Sequence, residues 1–280
     1  MAQKYIPIFY FSGTGNTWWV AQQLAEALGN NFKAETHSIE QVTPSLVSSL
    51  VDQADIVALG YPVYGSDAPL IMQDFIASLP ETEQAKPMLV FATQAAWSGD
   101  GAYFIRPDVE AKGYQIRWAV HFNMPNNIST DLGWILNAFL WLFRAKPATA
   151  LKRIHKLAHR ISQNQDWIMG QSPTFSLGWV QRIPYRKGLE TLQSGTFQVN
   201  PVKCNACRRC VRLCPVNNIT LVDGLPRFDT HCNLCLRCFN YCPELAIEAF
   251  GKPFNPAWFG EKPYQGPEPG FRPELIIKDR

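Results

Sequence analysis

All eight cysteines of the chain fall between residues 204 and 242, as Cys204, Cys207, Cys210 and Cys214 and then Cys232, Cys235, Cys238 and Cys242. Each quartet has the spacing C-x2-C-x2-C-x3-C-P, closed by Pro215 and Pro243. That spacing ligates 4Fe-4S clusters: three thiolates at three-residue intervals wrap one cube, and the fourth, at the start of a helix, points to the neighbouring cube. The ligand sets are therefore expected to cross. Cys204, Cys207, Cys210 and Cys242 hold one cluster, and Cys232, Cys235, Cys238 and Cys214 hold the other. A disulfide framework conflicts with the cytosolic location argued below. Zinc would use two C-x2-C pairs per ion and leave the middle cysteines without a task. The halves CNACRRCVRLCPVNNITLV and CNLCLRCFNYCPELAIEAF resemble each other along their length, as expected if each presents its cluster to the other. Arg208, Arg209, Arg212 and Arg237 stand between or beside the ligands. There they either stabilise the more reduced cluster and raise its potential, or are merely solvated and screened.

A second constellation lies near the N terminus. Ser12-Gly13-Thr14-Gly15-Asn16-Thr17 joins an apolar run at 5–11 to a helical pattern at 16–28. Hydroxyls and backbone N–H groups then converge on a helix N-terminus, which makes an anion cradle. The loop lacks the Lys of a nucleoside-triphosphate loop and the G-x-G-x-x-G of a dinucleotide fold, and a single terminal phosphate fits it better. By itself it could also be a tight turn with a polar cap. Two further loops follow later apolar runs: Pro62-Val63-Tyr64-Gly65, and Thr93-Gln94-Ala95 leading to Trp97, Gly99 and Asp100. Ligands of open α/β sheets bind at these carboxyl ends. Tyr64 and Trp97 could flank a flat ring system or simply pack. Gly65 and the glycines at 99 and 101 would let backbone approach the ring's edge. The economical occupant is a flat phosphorylated cofactor. His121 and Asn123 end the fifth run, where they could protonate a substrate or serve structure alone.

The elements that must position these groups alternate. Apolar runs at 5–11, 32–39, 55–61, 88–93 and 115–122 are separated by helical stretches near 16–28, 44–50, 68–79 and 101–112. This predicts a doubly wound α/β fold: a five-stranded parallel sheet with right-handed crossovers and both faces covered. An amphipathic helix at 150–161 closes the sheet. Residues 164–196 show no clear period and read as a linker that packs on something. Residues 251–280 are too rich in Pro and Gly for helix or central strand, and either wrap the surface or are disordered.

Composition bounds the rest. A hydrophobic content of 46% over 280 residues supports a real core, and a net charge of +3 gives no reason to propose nucleic acid as a partner. Residues 1–10 carry no basic or cleavable leader pattern, from which a cytoplasmic protein is expected. The longest apolar run, at 134–143, is short of the roughly 20 residues a spanning helix needs. With the basic helix after it, the stretch 132–160 could lie peripherally at the inner face of a membrane, or be buried against the protein.

On the loop Ser12 to Thr17, of the form Ser/Thr-x-Thr-Gly-x-Thr, residues 1–163 resemble flavodoxin. On the cysteine quartets, residues 197–250 resemble a small α+β bacterial ferredoxin domain with two 4Fe-4S clusters. The order is similar to that of flavodoxin-ferredoxin fusion proteins. The resemblance implies FMN and a sheet order 2-1-3-4-5. It also implies that Ser12, Thr14, Asn16 and Thr17 hold the phosphate and that the loops at 62–65 and 93–100 surround the isoalloxazine. Arg208 and Leu236 depart from it, at a position where ferredoxins often have Gly. The functional expectation is an electron-transfer flavoprotein working with a redox partner protein. Its alternatives are an FMN-dependent reductase of a quinone or other electrophile, and a membrane-linked redox module.

Overall fold

Strands rich in β-branched and aromatic residues suit a pleated sheet buried on both faces. In the computed structural model, which describes residues 3–83, 85–131, 133–134, 137–138, 145–171 and 177–277, the five apolar runs become β1 (Lys4–Tyr10), β2 (Phe32–Ser38), β3 (Val57–Pro62), β4 (Lys86–Gln94) and β5 (Tyr114–Asn123). They pair in parallel in the order β2-β1-β3-β4-β5. A two-residue strand, β6 (Trp167–Ile168), extends the sheet beyond β5 through Trp118 and Ala119. Two residues carry no readable period, and this strand exists because the free edge of β5 recruits it.

Alternate residues of β1 go to opposite faces. Ile6, Ile8 and Tyr10 pack with α1 (Asn16–Leu28) and α5 (Pro147–Ser162), meeting Val20, Leu24, Ile154 and Leu157. Tyr5 and Phe9 pack with α2 (Pro44–Gln53) and α3 (Leu70–Ser78), meeting Val47, Val51, Met72 and Ile76. Each such large side chain taken from water contributes about 1.5–3 kcal/mol. The helix expected near 101–112 shortens to α4 (Arg106–Glu110), because Tyr103 and Phe104 close back as turns onto the Asp100 carbonyl.

Between the sheet and the cysteines lie α6 (Gly178–Lys187) and α7 (Leu189–Gly195). Arg182 pairs with Asp100 at 2.6 Å and Arg186 with Asp67 at 2.5 Å, docking α6 on the loops after β3 and β4. In the cysteine half, β7 (Phe197–Val199) pairs antiparallel with β10 (Ile247–Ala249). There β8 (Ile219–Val222) and β9 (Leu225–Phe228) form a hairpin through Asp223-Gly224. Both turn residues have positive φ, as a two-residue turn matching strand twist requires. Two short helices, α8 (Arg209–Leu213) and α9 (Arg237–Asn240), sit in corresponding places of the two cysteine repeats. The core is continuous across the halves: Leu213 and Tyr241 pack among the residues of α1, and Cys235 among those of the opposite face.

The tail runs back over the first half. Trp19 Nε1 donates to Glu268, Ser38 Oγ to the Ile276 carbonyl, and the rings of Phe271 and Trp18 stand 5.0 Å apart. Among the described residues no helix is long and apolar enough to cross a membrane. Most of the apolar run at 134–143 lies outside the described residues.

Candidate functional site

The loop from Phe11 to Gly15 crosses the carboxyl end of the sheet, and a cavity of about 310 Å³ opens there. Ser12, Gly13, Thr14, Asn16 and Thr17 line it, with Pro62, Val63, Tyr64 and Gly65 after β3 and Thr93, Gln94 and Ala95 after β4. These are residues the sequence singled out. Residues 125–128 after β5 close one side. The far wall comes from the chain beyond the sheet: Tyr185, Leu192, Thr196 and Phe197, then Leu234, Leu236 and Phe250. Patterning offered no signal for these, since they come from the aperiodic segment, from spacers between cysteines and from the two ends of the cysteine half.

Four loop hydroxyls and amides hold the cradle in shape. Ser12 Oγ accepts from the Gly15 N–H at 3.1 Å, Thr17 Oγ1 pairs with Thr93 Oγ1 at 2.8 Å, and Thr14 Oγ1 accepts from Asn127 at 2.9 Å. Asn16 donates to the Pro125 carbonyl at 2.9 Å and accepts from the Tyr264 hydroxyl at 2.5 Å. The backbone N–H groups of Gly13, Thr14, Asn16 and Thr17 have no protein acceptor among the described residues. Two buried hydroxyls of the lining, Tyr64 and Thr196, are also without a partner. Buried donors normally find acceptors, so this set fits a ligand with a phosphate at the loop and polar atoms on a ring. The cavity is of the size that holds small cofactors.

Two glycines shape the approach of the second half. At Gly65 (φ 58°) a Cβ would stand 2.3 Å from Tyr185 Cγ, and at Gly13 it would stand 2.8 Å from the Cys235 carbonyl. The cysteine half therefore lies directly on the anion loop.

Some predicted residues stand elsewhere. Gly15, Trp97, Gly99 and Asp100 are not part of the cavity lining. Trp97 is 40% exposed. The Asp100 carboxylate is taken by Arg182, and Gly15 faces Pro267 and Phe271 of the tail. These partners lie roughly eighty to two hundred and fifty residues away, beyond the reach of local pattern. His121 is also committed: it is buried, and its Nε2 accepts from the Ala102 N–H at 2.9 Å. Burial, reinforced by Arg153, lowers its pKa to about 4 and keeps it neutral. Asn123 is tied to Gln94 and the Ala96 carbonyl.

The cysteines surround two small cavities. One is lined by Cys204, Cys207, Cys210 and Cys242, the other by Cys214, Cys232, Cys235 and Cys238. The second set is buried, whereas Cys207 is exposed and Cys204, Cys210 and Cys242 are half-buried. Sulfurs accept backbone N–H groups at matching places of the repeat, Asn218 to Cys214 at 3.2 Å and Ala246 to Cys242 at 3.3 Å. Among the described residues no three such side chains converge tightly enough for a single metal ion. Arg208 and Leu236 both adopt left-handed backbone, φ 61° and 63°. The glycine-like conformation is thus kept without glycine, at about 1 kcal/mol each.

The four arginines have separate fates. Arg208 and Arg212 are exposed and Arg209 pairs with Glu274 at 3.0 Å. Arg237 is completely buried and pairs with Glu40 at 2.5 Å. It also donates to the carbonyls of Ser12, Gly13 and Leu213.

Comparison with known proteins agrees with this division. Residues 8–107 match the flavodoxin family model and residues 197–220 the 4Fe-4S binding domain model. No curated protein matches the chain. Among solved structures, the two-electron reduced flavodoxin of Megasphaera elsdenii is 22% identical over 55% of this chain and 98% of its own, with a TM-score of 0.40. A flavodoxin from the domain Archaea is 18% identical over 57% and 97%, with a TM-score of 0.40. For rubredoxin oxygen:oxidoreductase of Desulfovibrio gigas the values are 16% identity, 58% of this chain, 37% of that chain and a TM-score of 0.42.

Proposed function

We propose that this chain, a flavodoxin-like domain joined to a 4Fe-4S binding domain, carries electrons between FMN in the interdomain cavity, two crossed 4Fe-4S clusters and a redox partner protein. One observation carries the reading. Leu234 and Leu236, which alternate with Cys232, Cys235 and Cys238, line the same cavity as the anion loop. FMN exchanges electrons in pairs or singly while each cubane passes one, so a shared wall suits conversion between the two.

The chain's own groups have distinct tasks. Free N–H groups of the loop bind the phosphate, and the Tyr64 and Thr196 hydroxyls offer hydrogen bonds to the rest of the cofactor. Tyr185, Leu192 and Phe250 keep water from its far side. Cys214, Cys232, Cys235 and Cys238 form the inner ligand set beside the cavity, and the set with exposed Cys207 faces outward. Exposed Lys203, Arg208 and Arg212 lie around that outer set, and favour a partner with an acidic docking face. A reductase of small electrophiles would need a proton donor at the cavity, and there the free Tyr64 and Thr196 hydroxyls stand nearer than His121, whose Nε2 accepts from the Ala102 N–H. For the membrane-linked reading, the apolar stripe of α5 is buried on α1 while Lys152 and Lys156 of the same helix stay exposed.

Anaerobic purification with iron, sulfide and flavin analysis tests the reading. The expected result is about eight iron and one FMN per chain, with EPR of two interacting reduced clusters. Four iron, or no flavin, would overturn it.

A further inference from the structure

We infer that the cysteine half sets the phosphate affinity of the loop at 12–17, through Arg237 and Tyr241, which clamp three consecutive loop carbonyls from behind and aim its N–H groups into the cavity. The inference rests on the FMN reading above and adds to it a pair of positioning residues from the other domain.

Arg237 donates through Nη2 to the Ser12 carbonyl at 2.7 Å and through Nε to the Gly13 carbonyl at 2.8 Å. The Tyr241 hydroxyl donates to the Thr14 carbonyl at 3.2 Å. In a planar trans peptide the C=O and the following N–H point in opposite directions. Holding the carbonyls of 12, 13 and 14 toward α9 therefore turns the N–H groups of 13, 14 and 15 away from it. The third closes on Ser12 Oγ, and the first two remain free in the cavity lining.

The clamp is needed because Gly13 and Gly15 lie at the ends of this stretch, and glycine lets a peptide plane turn over at little cost. Asn240 supports it one step removed. It donates to the Asn127 carbonyl at 3.0 Å, and the Asn127 amide donates to Thr14 Oγ1 at 2.9 Å. Arg237 is itself fixed by Glu40, just beyond β2. Cysteine ligation does not require this arginine to reach so far. Arg209, at the matching place in the first repeat, hydrogen-bonds the tail's Glu274 instead.

The test compares FMN with riboflavin, which lacks the phosphate, on the cluster-loaded protein by flavin-fluorescence titration. Wild type is expected to prefer FMN. Tyr241→Phe, which removes one oxygen and keeps the ring, is expected to weaken FMN about fivefold, the worth of one hydrogen bond, and riboflavin not at all. Arg237→Lys, which loses the fork, is expected to weaken FMN about tenfold or more. In both variants the phosphorus NMR signal of bound FMN moves toward that of solvated phosphate. If both variants keep the wild-type preference for FMN, or lose FMN and riboflavin affinity equally, the clamp is overturned and the FMN reading stands. If wild type binds neither flavin, the FMN reading falls and the clamp with it.

Discussion

The two cysteine repeats have the same spacing and the same short helix, but they occupy opposite environments. The inner set is buried beside the cavity at the anion loop, and the outer set opens to solvent at Cys207. Their matched arginines show the contrast most clearly: Arg237 has no exposed side-chain surface, whereas Arg209 and its partner Glu274 are 36% and 51% exposed. A repeated motif thus supplies two equivalent ligand sets, and docking on a different domain gives each its own task. In the proposed reading one set meets the cofactor and the other meets a partner.

The comparison can be broken most directly at those arginines. Arg237→Ala strands Glu40 and three carbonyls in the interior, and a loss of about 3–5 kcal/mol is expected in urea unfolding. Arg209→Ala should cost less than about 1 kcal/mol. Equal costs would mean that the repeats are not energetically distinct.

The sheet half should differ from the cysteine half in its response to acid. His121 is lowered from 6.5 to about 4 by burial and Arg153. The unfolded chain takes up a proton that the folded one refuses, so its contribution is full above pH 6.5 and is lost as pH falls toward 4, by about 3 kcal/mol. His121→Gln should flatten that part of the stability profile, as followed by pH-dependent denaturation.

Matched left-handed positions sharpen the contrast at smaller scale. Arg208→Gly removes backbone strain at an exposed site and should stabilise by about 1 kcal/mol. Leu236→Gly gives the same relief but uncovers a buried side chain, and should destabilise by about 1–2 kcal/mol. Same-sign shifts in thermal unfolding would contradict the assigned environments.

The smallest effect is kinetic. Replacing Arg208 and Arg212 together by Gln should slow reaction with an acidic one-electron carrier about threefold at low ionic strength, and not at high salt. Stopped-flow rates that do not depend on salt would remove the acidic docking face.

Much of the molecule was legible because its signals are local. The spacing of Cys204 to Cys242 follows from the reach of thiolates around a cube, the stretch Ser12 to Thr17 from the needs of an anion at a helix start, and the parallel α/β alternation from apolar runs separated by helical stretches; the strand order came only with the resemblance to flavodoxin. Each depends on residues near one another in the chain, where short-range geometry leaves few options. Trp97 and Asp100 looked equally suited to a cofactor loop, but only distant Arg182 decides that Asp100 is already engaged. The far wall at Tyr185, Thr196 and Leu236 has the same origin, and so does the link from Arg237 to Glu40 across 197 positions. The sequence alone therefore singled out the groups that the proposed reading assigns to iron and phosphate. Only the tertiary structure decided which cysteine set lies against the cavity and what holds the loop in shape, because those depend on the packing of two domains whose contacting residues are remote in the chain.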